Sequence, residues 1–385
     1  MDRGKEIMLV VGEASGDIHG ASLVKALLKR DPNLTFFGVA GDELQRTDFE
    51  AVFTVAELTG MGLLELAGNI KNIIVAYRLL RRTLRTRRPR LLILIDFPEL
   101  NLRLASLAKS LGIPVLYYVS PQIWAWRRGR IRQIAQVVDK MAVVFPFEVE
   151  FYERHQIPVE FVGHPLLDVV SVSQGPDAIL REIGLHKEKP VVALLPGSRR
   201  KEIAYHLPVM VAAAAELKRL EQAQFFCVRA TTLDRAVLQK ELNRAGFFIP
   251  IVESGRYNAV NAADLVWAAS GTATLETALL EKPTIVVYRV SWITYLLARL
   301  LVKIKYIGIA NIIAGKVIVP ELVQSDLSPE RLVHESQAIL NDHDARAKMI
   351  ANLSKLREQL GSPGAANRVA ELALSMMGPV NLALD

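Results

Sequence analysis

The chain has 385 residues, 51% of them hydrophobic, 23% charged and 7% aromatic. That is apolar material for two packed domains, and it excludes disordered, collagen-like and disulfide-scaffold classes. One cysteine, Cys227, leaves no internal disulfide and suits a reducing compartment, while a net charge of +7 points to anionic partners such as phosphates, nucleic acid or an acidic lipid surface.

In chain order, near-continuous apolar runs at 7–11, 35–39, 91–95, 115–119, 141–144 and 160–162 read as parallel strands covered on both faces. Helical patterns at 18–29, 63–85, 102–111, 130–138 and 147–155 lie between them, as right-handed crossovers require. The polar, turn-rich stretch 170–190 reads as a linker, after which strands restart at 191–195, 224–228, 248–252, 264–267 and 284–288. Residues 329–377 are helical by spacing, with a break at 361–364. The expectation is an α/β protein with two Rossmann-like doubly wound domains facing a cleft, 1–170 and 171–345, and helices over 346–385 that can pack back on the first domain. The N-terminal apolar stretch is short and meets Glu13 and Asp17 early, so no signal peptide is expected, and apolar stretches elsewhere are interrupted by charge. A cytoplasmic protein is expected.

The loops after the strands carry the chemistry. Gly12-Glu13-Ala14-Ser15-Gly16-Asp17 is a tight turn into a helix, but its spacing is not that of a dinucleotide fingerprint and its carboxylates would repel a pyrophosphate. Hydroxyl groups are the natural partners of Glu13 and Ser15. Asp96 ends the run 91–95, where a partly desolvated carboxylate serves as a general base; the same position also suits a cap for the helix near Asn101. His19 and His164 are further candidates for proton transfer, or structural histidines. Trp124, Trp126 and Arg127 sit in a loop whose residues can stack on a sugar, bind a phosphate or simply pack.

In the second half, Pro196-Gly197-Ser198-Arg199-Arg200-Lys201-Glu202 combines a glycine turn, a helix start and a guanidinium, the elements of a diphosphate site, without the spacing of a P-loop. Gly271 and Thr272 repeat the geometry, and Glu276 can take ribose hydroxyls or act in a capping box. No zinc-like Cys/His spacing occurs, so no metal or other cofactor is expected. The segment 61–90 joins Met61, Leu63, Leu64, Leu66, Ile70, Ile73 and Ile74 to Arg78, Arg81, Arg82 and Arg85. This is a pattern for an anionic membrane surface or for a core helix with a solvated basic end, and 292–306 repeats it.

The motifs GEASGD (12–17), IDFPELN (95–101), YYVSPQIWAWR (117–127), FVGHPLLD (161–168), LLPGSRRKEI (194–203), SGTATLE (270–276) and ANIIAG (310–315), in this order, resemble the lipid-A-disaccharide synthase family of glycosyltransferases. The resemblance implies a fold of the GT-B type. It also implies UDP-2,3-diacylglucosamine as donor and 2,3-diacylglucosamine 1-phosphate (lipid X) as acceptor, joined with inversion to the β-1',6-linked disaccharide 1-phosphate and UDP. By the same resemblance Asp96 is the base, Glu13 and Ser15 belong to the catalytic loop, Arg199 contacts the diphosphate and Asn311 contacts the nucleotide. Ser198, Glu202, Gly271, Thr272 and Glu276 complete the expected donor site, and Trp124, Arg127 and His19 are acceptor-side candidates. Ala310 departs from the family's usual proline, and Glu99-Leu100 departs from the pair usual before Asn101. The implied setting is the cytoplasmic face of the inner membrane, held peripherally, with no nucleic-acid partner and a homo-oligomer allowed. The alternative is another UDP-sugar enzyme of this architecture, a peptidoglycan N-acetylglucosaminyltransferase or a non-hydrolysing epimerase.

Overall fold

The computed structural model describes residues 5–59, 67–126, 128–230, 232–301 and 305–378. The chain forms two compact units, Met1–Pro165 with Leu360–Asp385, and Leu166–Gln359.

Unit 1 is built on a seven-stranded parallel sheet: β1 (Glu6–Val11), β2 (Thr35–Ala40), β3 (Phe49–Thr54), β4 (Leu91–Ile95), β5 (Val115–Tyr118), β6 (Lys140–Val143) and β7 (Val159–Phe161). The spatial order is β3-β2-β1-β4-β5-β6-β7, so the winding reverses between β1 and β4, where Val11 pairs with Ile95. β4 is buried at every residue because helices cover both of its faces, which is why its sequence does not alternate. The edge strand β3 lacks such a run, since its residues are half-buried or exposed, and periodicity alone missed it.

Unit 2 repeats the plan with six strands: β8 (Val191–Leu195), β9 (Gln224–Val228), β10 (Ile251–Val252), β11 (Leu265–Ala269), β12 (Thr284–Tyr288) and β13 (Glu321–Val323), in the order β10-β9-β8-β11-β12-β13. Its reversal lies between β8 and β11, where Leu195 pairs with Ala268. The strand expected over 248–252 shrinks to two residues, because only Ile251 and Val252 of that run pair with β9, and Phe248 is left exposed in the loop.

Two expected boundaries are corrected. The stretch read as a linker folds into the helix Pro176–Glu182, whose Ile179 and Leu180 are buried in the core of unit 2. Unit 2 therefore starts at Leu166 rather than 171. The C-terminal segment is divided: the helix His343–Gln359 buries Met349, Leu353 and Leu356 and stays with unit 2, whereas the helix Ala365–Met377 belongs to unit 1. That last helix lies on Ala14–Leu28 and buries Ala365, Val369, Ala370 and Ala373. Arg30 donates to Glu371 (2.6 Å) and to Asn367 (3.1 Å), and Arg368 donates to the carbonyls of Val162 (2.8 Å) and Ser362 (2.6 Å). Gly163, at φ +76°, takes a backbone conformation that strains residues with a Cβ, and a Cβ there would also push on the Arg368 guanidinium 2.8 Å away. The N–H of His164 then donates to Leu360 O at 2.9 Å, so the GHP motif joins unit 1 to its returning C-terminal segment.

Val369 is fully buried. Val369→Asp places a charge in that seam and should lower the unfolding free energy by about 3 kcal/mol or more, read by urea denaturation. Unchanged stability would show that the last helix is dispensable to unit 1.

Candidate functional site

The winding of unit 1 reverses between β1 and β4, and ligands of open α/β sheets bind at such points. At the end of β4, Asp96 and Phe97 both turn left-handed, at φ +49° and +45°, and Val119 after β5 does so at φ +58°. Such conformations cost non-glycine residues about 1–3 kcal/mol each and persist only where surrounding bonds enforce them. Here those bonds are visible. Asn101, fully buried, donates its amide to the carbonyls of Ile95 (3.2 Å) and Asp96 (2.7 Å). The Tyr117 hydroxyl donates to the same Asp96 carbonyl, and Asp96 N–H donates to Val119 O at 3.3 Å. Phe97 passes so close to the first loop that a Cβ on Gly12 would lie 2.2 Å from its ring, so only glycine fits there.

The turn aims Asp96 out of the sheet end, half-buried. Burial, and next the negative charge of Glu13, raise its pKa to about 6, opposed by a hydrogen bond from the Phe97 N–H. Its deprotonated form is thus a stronger base than an ordinary aspartate, yet is populated at neutral pH. Asp96 precedes the helix Pro98–Ser110, whose N-cap is Phe97 and receives no side-chain cap bond. Glu13 and Ser15 are exposed at the neighbouring strand end, where Glu13 is the N-cap residue of the helix Ala14–Leu28. Asp17 of the same motif is structural: buried, it accepts from the N–H groups of Gly41 (2.8 Å), Glu43 (2.8 Å) and Leu44 (3.2 Å) and fixes the loop after β2.

The acceptor-side candidates are revised. Trp124 is buried, donates to Glu148 at 3.2 Å and meets the edge of Phe147, so it packs the loop instead of stacking on a sugar. Glu148, missed in the sequence, also accepts from Phe145 N–H at 3.1 Å, and burial lifts its pKa to about 7. Burial lowers His19 to about 4 and His164 to about 3, so both are neutral at physiological pH and His19 brings no positive charge to a phosphate. Arg127 lies outside the described residues, as do Met61, Leu63, Leu64 and Leu66. On the described part of the helix Ala67–Arg87, Ala76, Leu80 and Leu84 are buried and Ile73 packs against the core, whereas Ile74, Val75 and Leu79 are exposed beside Arg78, Arg81, Arg82 and Arg85. Of Ile70 only its place in that helix is described. Among the described residues, no helix is long and apolar enough to cross a membrane.

In unit 2 the turn after β8 leads into the helix Arg200–Glu221. Gly197 stands at φ +124°, and Arg199 reaches solvent with 77% of its side chain exposed. The N–H groups of Ser198 (2.8 Å) and Arg199 (3.3 Å) are held by the Glu202 carboxylate, which also fills the space a Cβ at Gly197 would need. Glu202 is therefore the cap of this turn, and the Arg199 guanidinium beside it is exposed. Beside it, after β11, Gly271 (φ +146°) and Thr272 are exposed at the start of Thr272–Leu279. Glu276 is already engaged: it accepts from Arg256 (2.7 Å) and from the Tyr257 hydroxyl (3.0 Å), while burial raises its pKa. A ribose would have to share that carboxylate. Asn311 is fully buried with its whole amide spent, donating to Val319 O (2.9 Å) and Glu321 (2.7 Å) and accepting from the N–H groups of Ile318 (2.7 Å) and Val319 (3.0 Å). It shapes the loop and presents no free group to a nucleotide. Two residues the motifs did not mark, His206 and Arg289, hold the turn after β8 in place. His206 contacts Pro196 O through Nδ1 (2.9 Å) and accepts from Arg289 N–H through Nε2 (3.0 Å). Among the described residues no group of three or more His, Cys, Asp or Glu is placed to hold a metal ion.

Two outcomes follow from this geometry. In Glu13→Gln the Asp96 carboxyl, followed by carbon NMR, should titrate below its parent midpoint of about 6, since a neighbouring negative charge has been removed; an unmoved midpoint would separate the two loops. Asn311→Ala should cost about 2–3 kcal/mol of stability by urea denaturation, whereas lost UDP affinity at full stability would make Asn311 a nucleotide contact.

The sequence matches the Lipid-A-disaccharide synthetase family over residues 7–376. It is 45% identical over 97% of its length to 98% of the lipid-A-disaccharide synthase of Syntrophus aciditrophicus (strain SB), and 44% identical, with the same coverage, to that of Geobacter metallireducens. In fold it is similar to MurG of Acinetobacter baumannii (TM-score 0.59, 17% identity, 96% of this chain and 99% of that one). A similar likeness links it to a UDP-GlcNAc 2-epimerase from Neisseria meningitidis solved with UDP-GlcNAc (TM-score 0.59, 12% identity, 97% and 99%). At such identities these two show the fold alone. The match across nearly the whole chain, with four of the motifs at the two sheet reversals, places this protein in the lipid-A-disaccharide synthase family, as a glycosyltransferase of lipid A biosynthesis.

Proposed function

We propose that the enzyme transfers the diacylglucosamine of UDP-2,3-diacylglucosamine to the 6-hydroxyl of lipid X with inversion. The observation that carries this reading is Asp96, a carboxylate on an enforced left-handed turn whose pKa is raised to about 6. Asp96 removes the proton of the acceptor hydroxyl as the oxygen attacks the anomeric carbon. The bond from that carbon to the UDP oxygen breaks, and UDP leaves with the electron pair. Attack opposite the leaving group gives the β-1',6 linkage. Glu13 keeps Asp96 basic, and with Ser15 offers acceptors to the sugar hydroxyls. Arg199 and the exposed Gly271–Thr272 turn take the charge of the departing diphosphate, a task that needs no metal in this reading.

Both substrates carry fatty acyl chains, so the enzyme works at the bilayer surface. The exposed aliphatic and arginine face of Ala67–Arg87 supports peripheral binding to anionic lipid on the cytoplasmic side of the inner membrane.

Incubation with both substrates in mixed micelles containing EDTA should yield disaccharide 1-phosphate and UDP by mass spectrometry; release of UDP without disaccharide would reject the acceptor. Asp96→Asn should keep UDP affinity while kcat falls by about 10²–10⁴-fold, and in the parent kcat/KM should decline as pH drops through about 6, where the base becomes protonated. Near-normal turnover of the variant would remove Asp96 from the chemistry. Charge reversal at Arg81, Arg82 and Arg85 should weaken sedimentation with phosphatidylglycerol vesicles, and unchanged sedimentation would reject this face as the membrane contact.

A further inference from the structure

Unit 2 contains a cavity of about 410 Å³, bounded by Tyr205, Arg289, Val290, Ser291, Trp292, Gln324 and Ser325. Its volume falls in the range of small-molecule sites, roughly 300–1,000 Å³. The two long polar side chains of its wall, Arg289 and Gln324, are spent within the protein, and the Ser291 hydroxyl pairs with that of Thr294 at 2.7 Å. The Arg289 guanidinium donates to the carbonyls of Gln324 and Leu327, and the Gln324 amide pairs with both the N–H (2.7 Å) and the carbonyl (3.1 Å) of Val290. What remains to meet a ligand is largely the two aromatic rings and Val290, a surface that suits an apolar guest.

The position of the cavity narrows the choice of guest. Tyr205 belongs to the helix that begins at the phosphate turn, and its neighbour His206 bonds both to Pro196 of that turn and to Arg289 of the cavity wall. Trp292 opens the helix Trp292–Leu301 and is 61% exposed; Ile293 (74%) and Leu296 (56%) extend the apolar surface beyond it, Leu296 one turn along the same face. An apolar chain in the cavity would therefore start next to the turn whose exposed Arg199 side chain meets the diphosphate in the reading above.

We propose that this cavity is an acyl-chain subsite, which receives one fatty acyl chain of the UDP-diacylglucosamine donor while its diphosphate rests on the neighbouring turn. The assignment builds on the donor reading above and adds which part of unit 2 recognises the lipid. It makes Trp292, Tyr205 and Val290 specificity-determining for the acylated donor over UDP itself.

The test uses the full-length enzyme and a donor whose acyl chains carry bromine, which quenches tryptophan on contact. Tryptophan emission should fall saturably with this donor and recover on adding UDP. In Trp292→Phe, which retains an aromatic wall, the donor should still compete with UDP but most of the quenching should be lost. Val290→Phe, which narrows the cavity, should raise KM for the diacylated donor about tenfold with the Kd of UDP unchanged. Donor that competes with UDP without quenching Trp292 would overturn the subsite and leave the donor reading intact. Equal quenching by brominated phosphatidylglycerol vesicles without donor would overturn it in favour of a wall facing the bilayer. Failure of both donor and UDP to bind would overturn the donor reading, and the subsite with it.

Discussion

The left-handed backbone at Asp96 and Phe97 is the constraint on which the site in unit 1 depends. A strand that continued in extended geometry would keep residue 96 in the plane of the sheet. Instead the chain reverses its hand at two residues that have a Cβ, and the buried amide of Asn101 and the phenol of Tyr117 hold the Asp96 carbonyl in place. Those bonds come from the core, so burial elsewhere offsets the local strain. The result is a carboxylate presented at the sheet end but not fully wetted, with a second carboxylate, Glu13, acting on it from the adjacent strand. Gly12 is tied to the same device, because the displaced Phe97 occupies the space its side chain would need.

Unit 2 handles charge in the opposite sense. Its turn after β8 is already satisfied by Glu202, so the helix start carries a cap of its own, and the Arg199 side chain beside it stays exposed. Behind it, His206 joins the turn to the loop after β12 through two hydrogen bonds that require the neutral ring, and burial keeps the ring neutral by lowering its pKa. The same histidine thereby ties the turn after β8 to Arg289, the residue that precedes Val290 and the exposed Trp292 in the chain. One unit thus raises the pKa of a carboxyl by burial and by a neighbouring negative charge, and the other leaves a guanidinium exposed at the end of its sheet.

The motif residues divide into those that face solvent at the strand ends and those that hold them there. Glu13, Ser15, Arg199 and Thr272 are of the first kind; Asp17, Asn101, Trp124, Glu202 and Asn311 are of the second. Nothing in their spelling separates the two kinds. An asparagine that bonds a nucleotide and one that spends four hydrogen bonds on its own loop are the same letter in the same motif, and burial alone distinguishes them.

The architecture was legible in the sequence because parallel strands covered on both faces are apolar at every position, and their loops end in glycines and polar residues at fixed places; Asp96 and Arg199 could be picked out for that reason. Edge strands such as β3 escape such a reading, since partial exposure erases the apolar run. So does the division of the last helices, because 343–359 and 365–377 follow one another in a single helical stretch of sequence and differ in which core covers them. What only the tertiary structure decided is pairing over long separation: Arg368 with Val162, His206 with Arg289, Trp124 with Glu148. Local periodicity records which side of an element is apolar, while the partner of a buried polar group is chosen by the folded chain, where an unpaired one is too costly to keep.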